Sequence, residues 1–306
     1  MFKYTLDNKR YHTLNYYFKN KFGKKTVKVP IDIDSPCPNF EFGGCMFCSN
    51  KSKANIIINS ENIIKQFLNT KDILDKKWPN SLYIPYFQSG TNTIFPVNKL
   101  KPIIDELLEI PNIVGIAIAT RPDCISDEWF DYLDELNKKT YLSIELGLQS
   151  SKLATLKFIN RGHDVDVFTT AIEKLHNKNI FTVAHIINGL PYETKEDMIN
   201  TVKYLNNLKI DGIKIHMLYI SNNTKLADIY EKQPFSILSK EEYIDIVCDQ
   251  LELLDEKIII ERITGDPFED ELVAPKWLLK KFSVLNDIDK EMVKRNIYQG
   301  DKSKEN

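Results

Sequence analysis

The chain has 306 residues, of which 42% are hydrophobic, enough for a sizeable core and too many for wholesale disorder. Its formal net charge of −2 excludes a nucleic-acid binder that works through overall charge alone. No apolar stretch is long enough to span a bilayer, the N-terminus has no apolar signal core, and five cysteines, three of them clustered, are not a secreted disulfide framework, so a cytoplasmic protein is expected.

In chain order, residues 1–24 form a basic segment. Residues 1–30 carry eight lysines and arginines against one acid, Asp7, mixed with Tyr4, Tyr11, Tyr16, Tyr17, Phe18 and Phe22. Residues 11–22 read as a basic amphipathic helix stopped by Gly23. Basic residues among aromatics can follow a phosphate backbone and stack on bases; the same pattern also fits a solvated lysine-rich helix.

Six short apolar runs then alternate with helical patterns. The predicted strands are Val27–Ile33, Leu82–Phe87, Val114–Ala119, Tyr141–Leu148, Phe181–Ile187 and Gly212–Ile220, as apolar as strands covered on both faces should be. Helix signals lie between them. Ser60 opens an apolar pattern, Ser126 precedes two acids, and Thr194 with Asp197 has the spacing of a capping box. Six βα units imply a parallel sheet with right-handed crossovers, as a partial barrel or a doubly wound sheet. Residues 25–235 form this core. After about residue 236 the rhythm changes: a helix opens at Ser239, Lys257–Ile263 is a strand candidate, and 277–298 is mostly helical. Residues 236–306 are therefore expected to pack on the core as a small α/β extension.

The first strand runs into Cys37-Pro-Asn-Phe-Glu-Phe-Gly-Gly-Cys45-Met-Phe-Cys48. Three thiolates on one loop can hold a metal or an iron–sulfur cluster. A closed structural zinc site needs four protein ligands, and no fourth cysteine or histidine lies nearby. Three ligands with one open position point to chemistry at the metal; a non-catalytic zinc or Fe–S module is the alternative.

Ligands gather at the carboxyl ends of parallel strands. Those ends here carry Gln88-Ser89-Gly90, Arg121-Pro122-Asp123, Glu145 with Gly147-Leu-Gln149, His185 with Asn188-Gly189, and Lys214 with His216. Singly, each has a bland reading. Glu145 could be a buried partner of Arg121, the two histidines satisfied core residues, Arg121 and Asp123 a turn clamp, and Cys124 and Cys248 small buried residues. Their shared location is what favours a site. His185, Lys214 and His216 are the catalytic candidates.

These pieces together resemble the radical S-adenosylmethionine (SAM) superfamily. The three-cysteine loop, Thr120-Arg-Pro-Asp123, Glu145-Leu-Gly-Leu-Gln-Ser150, Asn160-Arg-Gly-His163 and Gly189-Leu-Pro191 carry the likeness, nearest to YhcC/YtqA-like proteins with an elongator-type core. The loop is shorter than is usual there, with Phe40-Glu41-Phe42 where an Arg-Asp-Gly run is common. The resemblance implies a partial (β/α)6 TIM-like barrel and a [4Fe–4S] cluster on Cys37, Cys45 and Cys48. Its open iron would bind SAM and cleave it reductively to a 5′-deoxyadenosyl radical. Phe47, Gln88, Ser89, Arg121, Glu145, Arg161, Asn188 and Gly189 would form the SAM site. It also implies an electron donor such as flavodoxin or ferredoxin, and tRNA as substrate at a wobble uridine, with a small metabolite or a protein as the alternative.

Overall fold

A computed structural model describes residues 2–49 and 60–303. The first half of the chain runs α1 (Leu14–Phe22), β1 (Thr26–Ile31), α2 (Ser60–Lys77), β2 (Leu82–Phe87), α3 (Val97–Leu108), β3 (Gly115–Thr120), α4 (Asp127–Lys139) and β4 (Tyr141–Gln149). The second half runs α5 (Leu153–Phe158), α6 (Val165–His176), β5 (Phe181–Asn188), α7 (Lys195–Leu208), β6 (Gly212–Met217), β7 (Ile220–Ser221), α8 (Lys225–Lys232), α9 (Lys240–Leu253), β8 (Ile259–Arg262), β9 (Leu272–Ala274) and α10 (Lys281–Arg295).

Among the described residues, seven strands form one parallel sheet in the order β1-β2-β3-β4-β5-β6-β8. Each strand lies beside the next in sequence until β8 takes the last place, so the sheet curls as a partial barrel with its helices outside. The seventh strand is the Lys257–Ile263 candidate, which extends the six-strand core. The expected sixth strand ends earlier than its apolar run. Leu218 N–H donates to the Asn188 carbonyl at 2.8 Å, and Ile220 leaves to pair antiparallel with Ala274 in a separate β7–β9 ribbon.

Strand alternation explains the division of the core. On β4, Leu142, Ile144, Leu146 and Leu148 pack outward under the helices. Tyr141, Ser143, Glu145, Gly147 and Gln149 take the alternate face, which lines the barrel. Capping fixes the helices as the sequence predicts. Ser126 accepts from Trp129 N–H, and full capping boxes start α7 at Thr194 and α9 at Ser239.

The N-terminal segment closes the barrel at the amino ends of the strands. Phe18 is fully buried, and its ring meets Tyr141 at the start of β4 at 6.0 Å. Tyr17 stacks on Phe181 at the start of β5 at 5.3 Å. Thr13 forms a single parallel bridge to Ile260, and His12 N–H donates to Gln299 Oε1 at 2.8 Å. The helix begins at Leu14, later than expected, because these preceding residues join the sheet edge. Most of the segment's aromatic rings therefore do packing work, while Lys19, Lys21, Lys24 and Lys25 remain exposed.

Candidate functional site

A cavity of about 630 Å³ opens at the carboxyl ends of the strands. One wall is the cysteine loop, which places Cys37, Cys45, Cys48 and Phe47 on it. Pro38–Phe42 forms a 3-10 turn, and the loop is pinned from behind. Met46 N–H donates to the Ile159 carbonyl at 3.0 Å and Leu226 N–H to the Met46 carbonyl at 2.9 Å. Asn160 Nδ2 donates to the carbonyls of Phe42 at 3.0 Å and Gly44 at 2.8 Å.

Hydrogen-bond donors converge on the sulfurs. Asn39 Nδ2 lies 3.4 Å from Cys45 Sγ, and Arg161 Nη1 3.7 Å from the same atom. Arg121 Nη1 lies 4.0 Å from Cys37 Sγ. Its other nitrogens grip Asp123 in a bidentate pair at 2.9 and 2.8 Å, so the turn clamp exists and Glu145 is not the partner of Arg121. A hydrogen bond from Cys48, with the positive charge of Arg161 and Arg121, pulls the Cys45 thiol below its ordinary range. Two glycines make room for this arrangement. A Cβ on Gly147 would stand 2.7 Å from Arg161 Nη2, and one on Gly162, at φ +81°, would stand 2.3 Å from Asn39 Oδ1.

The remaining predicted residues divide. Gln88, Ser89, Arg121, Glu145, Arg161 and His185 line the cavity with the cysteines. Asn188 is turned away, exchanging two amide hydrogen bonds of 2.7 and 2.9 Å with Gln250 on α9. Gly189 faces Leu238. Lys214 stands level with His185 in register and His216 two residues nearer the strand ends, opposite Ile187, and neither lines the cavity. His216 sits beside His185, with ring centres 5.4 Å apart. Cys248 is buried as expected, but Cys124 is only half-buried, against the sequence expectation, because its thiol turns toward the Asp123 carboxylate at 3.7 Å.

The cavity floor is a buried ionic network that sequence reading only half finds. Glu145 accepts from Lys28 Nζ at 2.9 Å, the Tyr86 hydroxyl at 2.6 Å, and Lys214 Nζ, and His185 Nε2 lies 2.7 Å away. Lys28 also reaches both Glu261 oxygens at 2.8 and 2.6 Å. Burial alone would raise the Glu145 carboxyl, yet Lys214 and Lys28 hold it well below the usual carboxylate range. Burial pulls Lys214 below its usual value, because Glu145 offsets only part of the desolvation. The Lys28–Glu261 pair ties β1 to β8, the two edges of the sheet.

Behind the strand ends, the Glu193 carboxylate accepts from the Ser150 hydroxyl, and burial pushes it up to about 7. An acid raised on folding adds stability that is full below its unfolded value and fades as pH rises through the folded one. Glu193→Gln is expected to raise stability at pH 8 by about 1–2 kcal/mol, discounted for partial exposure, and to change little at pH 4. Thermal unfolding at the two pH values checks it.

The donor set fits a cubane cluster. Three thiols share one wall, with Asn39, Arg121 and Arg161 beside them to stabilise thiolate charge, and the Arg161 Nε donor is buried without a partner among the described residues. Among the described residues no three side chains converge on a single ion-sized point. A four-iron cube is larger than an ion, and its thiolates bind separate corners.

Comparison with known proteins agrees. Residues 37–205 match the Radical SAM superfamily and residues 210–294 the Radical_SAM C-terminal domain. The uncharacterized protein YtqA of Bacillus subtilis (strain 168) is 42% identical over 98% of this chain and 94% of its own length. A tRNA uridine(34) acetyltransferase of Methanocaldococcus infernus is 24% identical over 50% of this chain and 29% of its own. A solved structure of archaeal Methanocaldococcus infernus Elp3 superposes with TM-score 0.69 at 19% identity, over 90% of this chain and 64% of that one, which shows a shared fold. The chain belongs to the radical SAM superfamily of enzymes, within the YhcC/YtqA-like group. The cofactors of that superfamily are a [4Fe–4S] cluster and SAM. Among the described residues, no helix is long and apolar enough to cross a membrane.

Proposed function

We propose that this radical SAM enzyme modifies tRNA, at the side chain of a wobble uridine. The observation that carries the chemistry is the cavity wall of three thiols with two arginines beside them. Cys37, Cys45 and Cys48 hold the cluster. Arg161, whose Nε is buried and has no partner among the described residues, meets the SAM carboxylate, because a guanidinium matches a carboxylate through paired hydrogen bonds. Gln88 and Ser89 bind from the end of β2, and Phe47 offers an aromatic face. When bound, the cluster and SAM supply a carbon radical that takes a hydrogen atom from substrate. The protein holds that reaction in a cavity closed below by the ionic floor and α1, which leaves the carboxyl-end mouth for entry. Flavodoxin or ferredoxin supplies the electron, and the enzyme works in the cytoplasm.

The tRNA substrate is supported by the similarity to a tRNA uridine(34) acetyltransferase and by four exposed lysines, Lys19, Lys21, Lys24 and Lys25. These lysines lie at the barrel end opposite the mouth, so an RNA using both must run along the side. Replacing all four by Gln is expected to weaken binding of total tRNA and to flatten its salt dependence. If wild-type protein shows no salt-sensitive binding, the RNA reading fails. One observation favours a second reading, a small metabolite or a protein as substrate. Asp32, Asp34, Asp266 and Glu271 line the cavity, and such a rim disfavours phosphates.

A further inference from the structure

The hydrogen-bond pattern on Glu145 fixes the proton of its neighbour. Lys28, Lys214 and Tyr86 all donate to this carboxylate, and the two lysines keep it ionised, so it can only accept. His185 Nε2, 2.7 Å from Oε2, must therefore carry a proton and donate it. The ring itself is neutral, since burial lowers its pKa against the raising contact with Glu145. Its bare nitrogen is then Nδ1. Around the ring stand Lys214 and His216 on β6, Tyr86 on β2, and the β1–β8 pair of Lys28 and Glu261. Lys214, Tyr86, Lys28 and Glu261 belong to the floor and His216 stands two residues nearer the strand ends, whereas the His185 side chain is 19% exposed and lines the cavity.

We propose that His185 is the substrate-side hydrogen-bond acceptor of the cavity, its Nδ1 seating an N–H or O–H group of the substrate, with Glu145 as the residue that positions it. The site thus selects a substrate that presents a donor to the barrel floor, such as an imide, amide or hydroxyl. A group offering only acceptors meets no complementary donor at this nitrogen. The inference rests on the radical SAM assignment but not on the substrate being RNA; only one of the probes below is a nucleobase.

The test is long-range ¹H–¹⁵N NMR of the ¹⁵N-histidine-labelled full chain with its cluster reconstituted. The His185 signal is assigned by its absence in His185→Asn. Nδ1 is expected bare and Nε2 protonated, and Glu145→Gln, whose amide can donate as well as accept, is expected to mix the tautomers. Titration with uracil or succinimide, which present an imide N–H, is expected to move the Nδ1 resonance. Their N-methylated forms, which lack that donor, are expected to act at least about tenfold more weakly, a difference of about 1.4 kcal/mol. A protonated Nδ1, no response to either imide, or equal responses to parent and methylated forms would each overturn the proposal. A response to succinimide alone supports it and counts against the uridine reading.

Discussion

Cys45→Ala is expected to leave a colourless protein after anaerobic reconstitution, with no SAM cleavage under dithionite, while the wild type takes up about four irons per chain. Cys124→Ala and Cys248→Ala are expected to match the wild type in iron content. The contrast follows from the environments of the three sulfurs. Cys45 is buried with Asn39 Nδ2 and Arg161 Nη1 aimed at it, and its thiol is pulled down. Burial, with the Asp123 carboxylate, pushes the Cys124 thiol up to about 12, and burial does the same for Cys248. Neither shares the cavity wall that Cys37, Cys45 and Cys48 form: the Cys124 thiol turns to Asp123, and Cys248 is buried against the Ile288 carbonyl. Circular dichroism serves as the fold control, because alanine also removes the sulfur that Asn39 Nδ2 and Arg161 Nη1 approach. Iron retained in Cys45→Ala, or lost in Cys124→Ala, would sink the ligand assignment.

The sequence makes one half of this site legible and hides the other for a physical reason. The cysteine loop is visible as spacing, and the strands are visible because a sheet covered on both faces must be apolar along its length. Glu145 and Lys214 stand out as charges inside such runs. Lys28 does not, because it lies in a lysine-rich segment where a solvated side chain is the ordinary expectation. The alternation of β1 gives the missing signal: Val29 and Ile31 pack under the helices, so Lys28 must take the opposite face. Glu261 lies within the predicted Lys257–Ile263 strand, but beside Arg262 it carries no signal of a partner on β1. Asn39 has no pattern at all. Its role comes from the fold of a loop onto Arg161-Gly162, contacts across more than a hundred residues that no local rule reaches. The apolar run through Ile220 misleads in the opposite direction, since periodicity cannot tell when a strand changes partners.

Removing the centre of the floor should cost more stability than any other single polar change here. Glu145→Leu is expected to destabilise the fold by about 3–5 kcal/mol, the range found when one member of a buried ionic group is deleted and its partners stay charged. Glu145 has no exposed side-chain surface, and Lys28 and Lys214 are nearly as enclosed. Among the described residues, leucine would leave Lys214 with the Tyr86 hydroxyl at 3.1 Å and Glu261 at 3.7 Å. Lys28 would keep Glu261, so Lys214 is where most of the loss should arise. The double variant Glu145→Leu with Lys214→Met removes both the orphaned cation and its lost partner, and it should recover part of the loss, giving a clear coupling in a double-mutant cycle. Urea unfolding midpoints measure all three proteins. If the cycle is additive, Glu145 and Lys214 act independently, and the floor is a set of separate contacts rather than the single network that holds His185 in one tautomer.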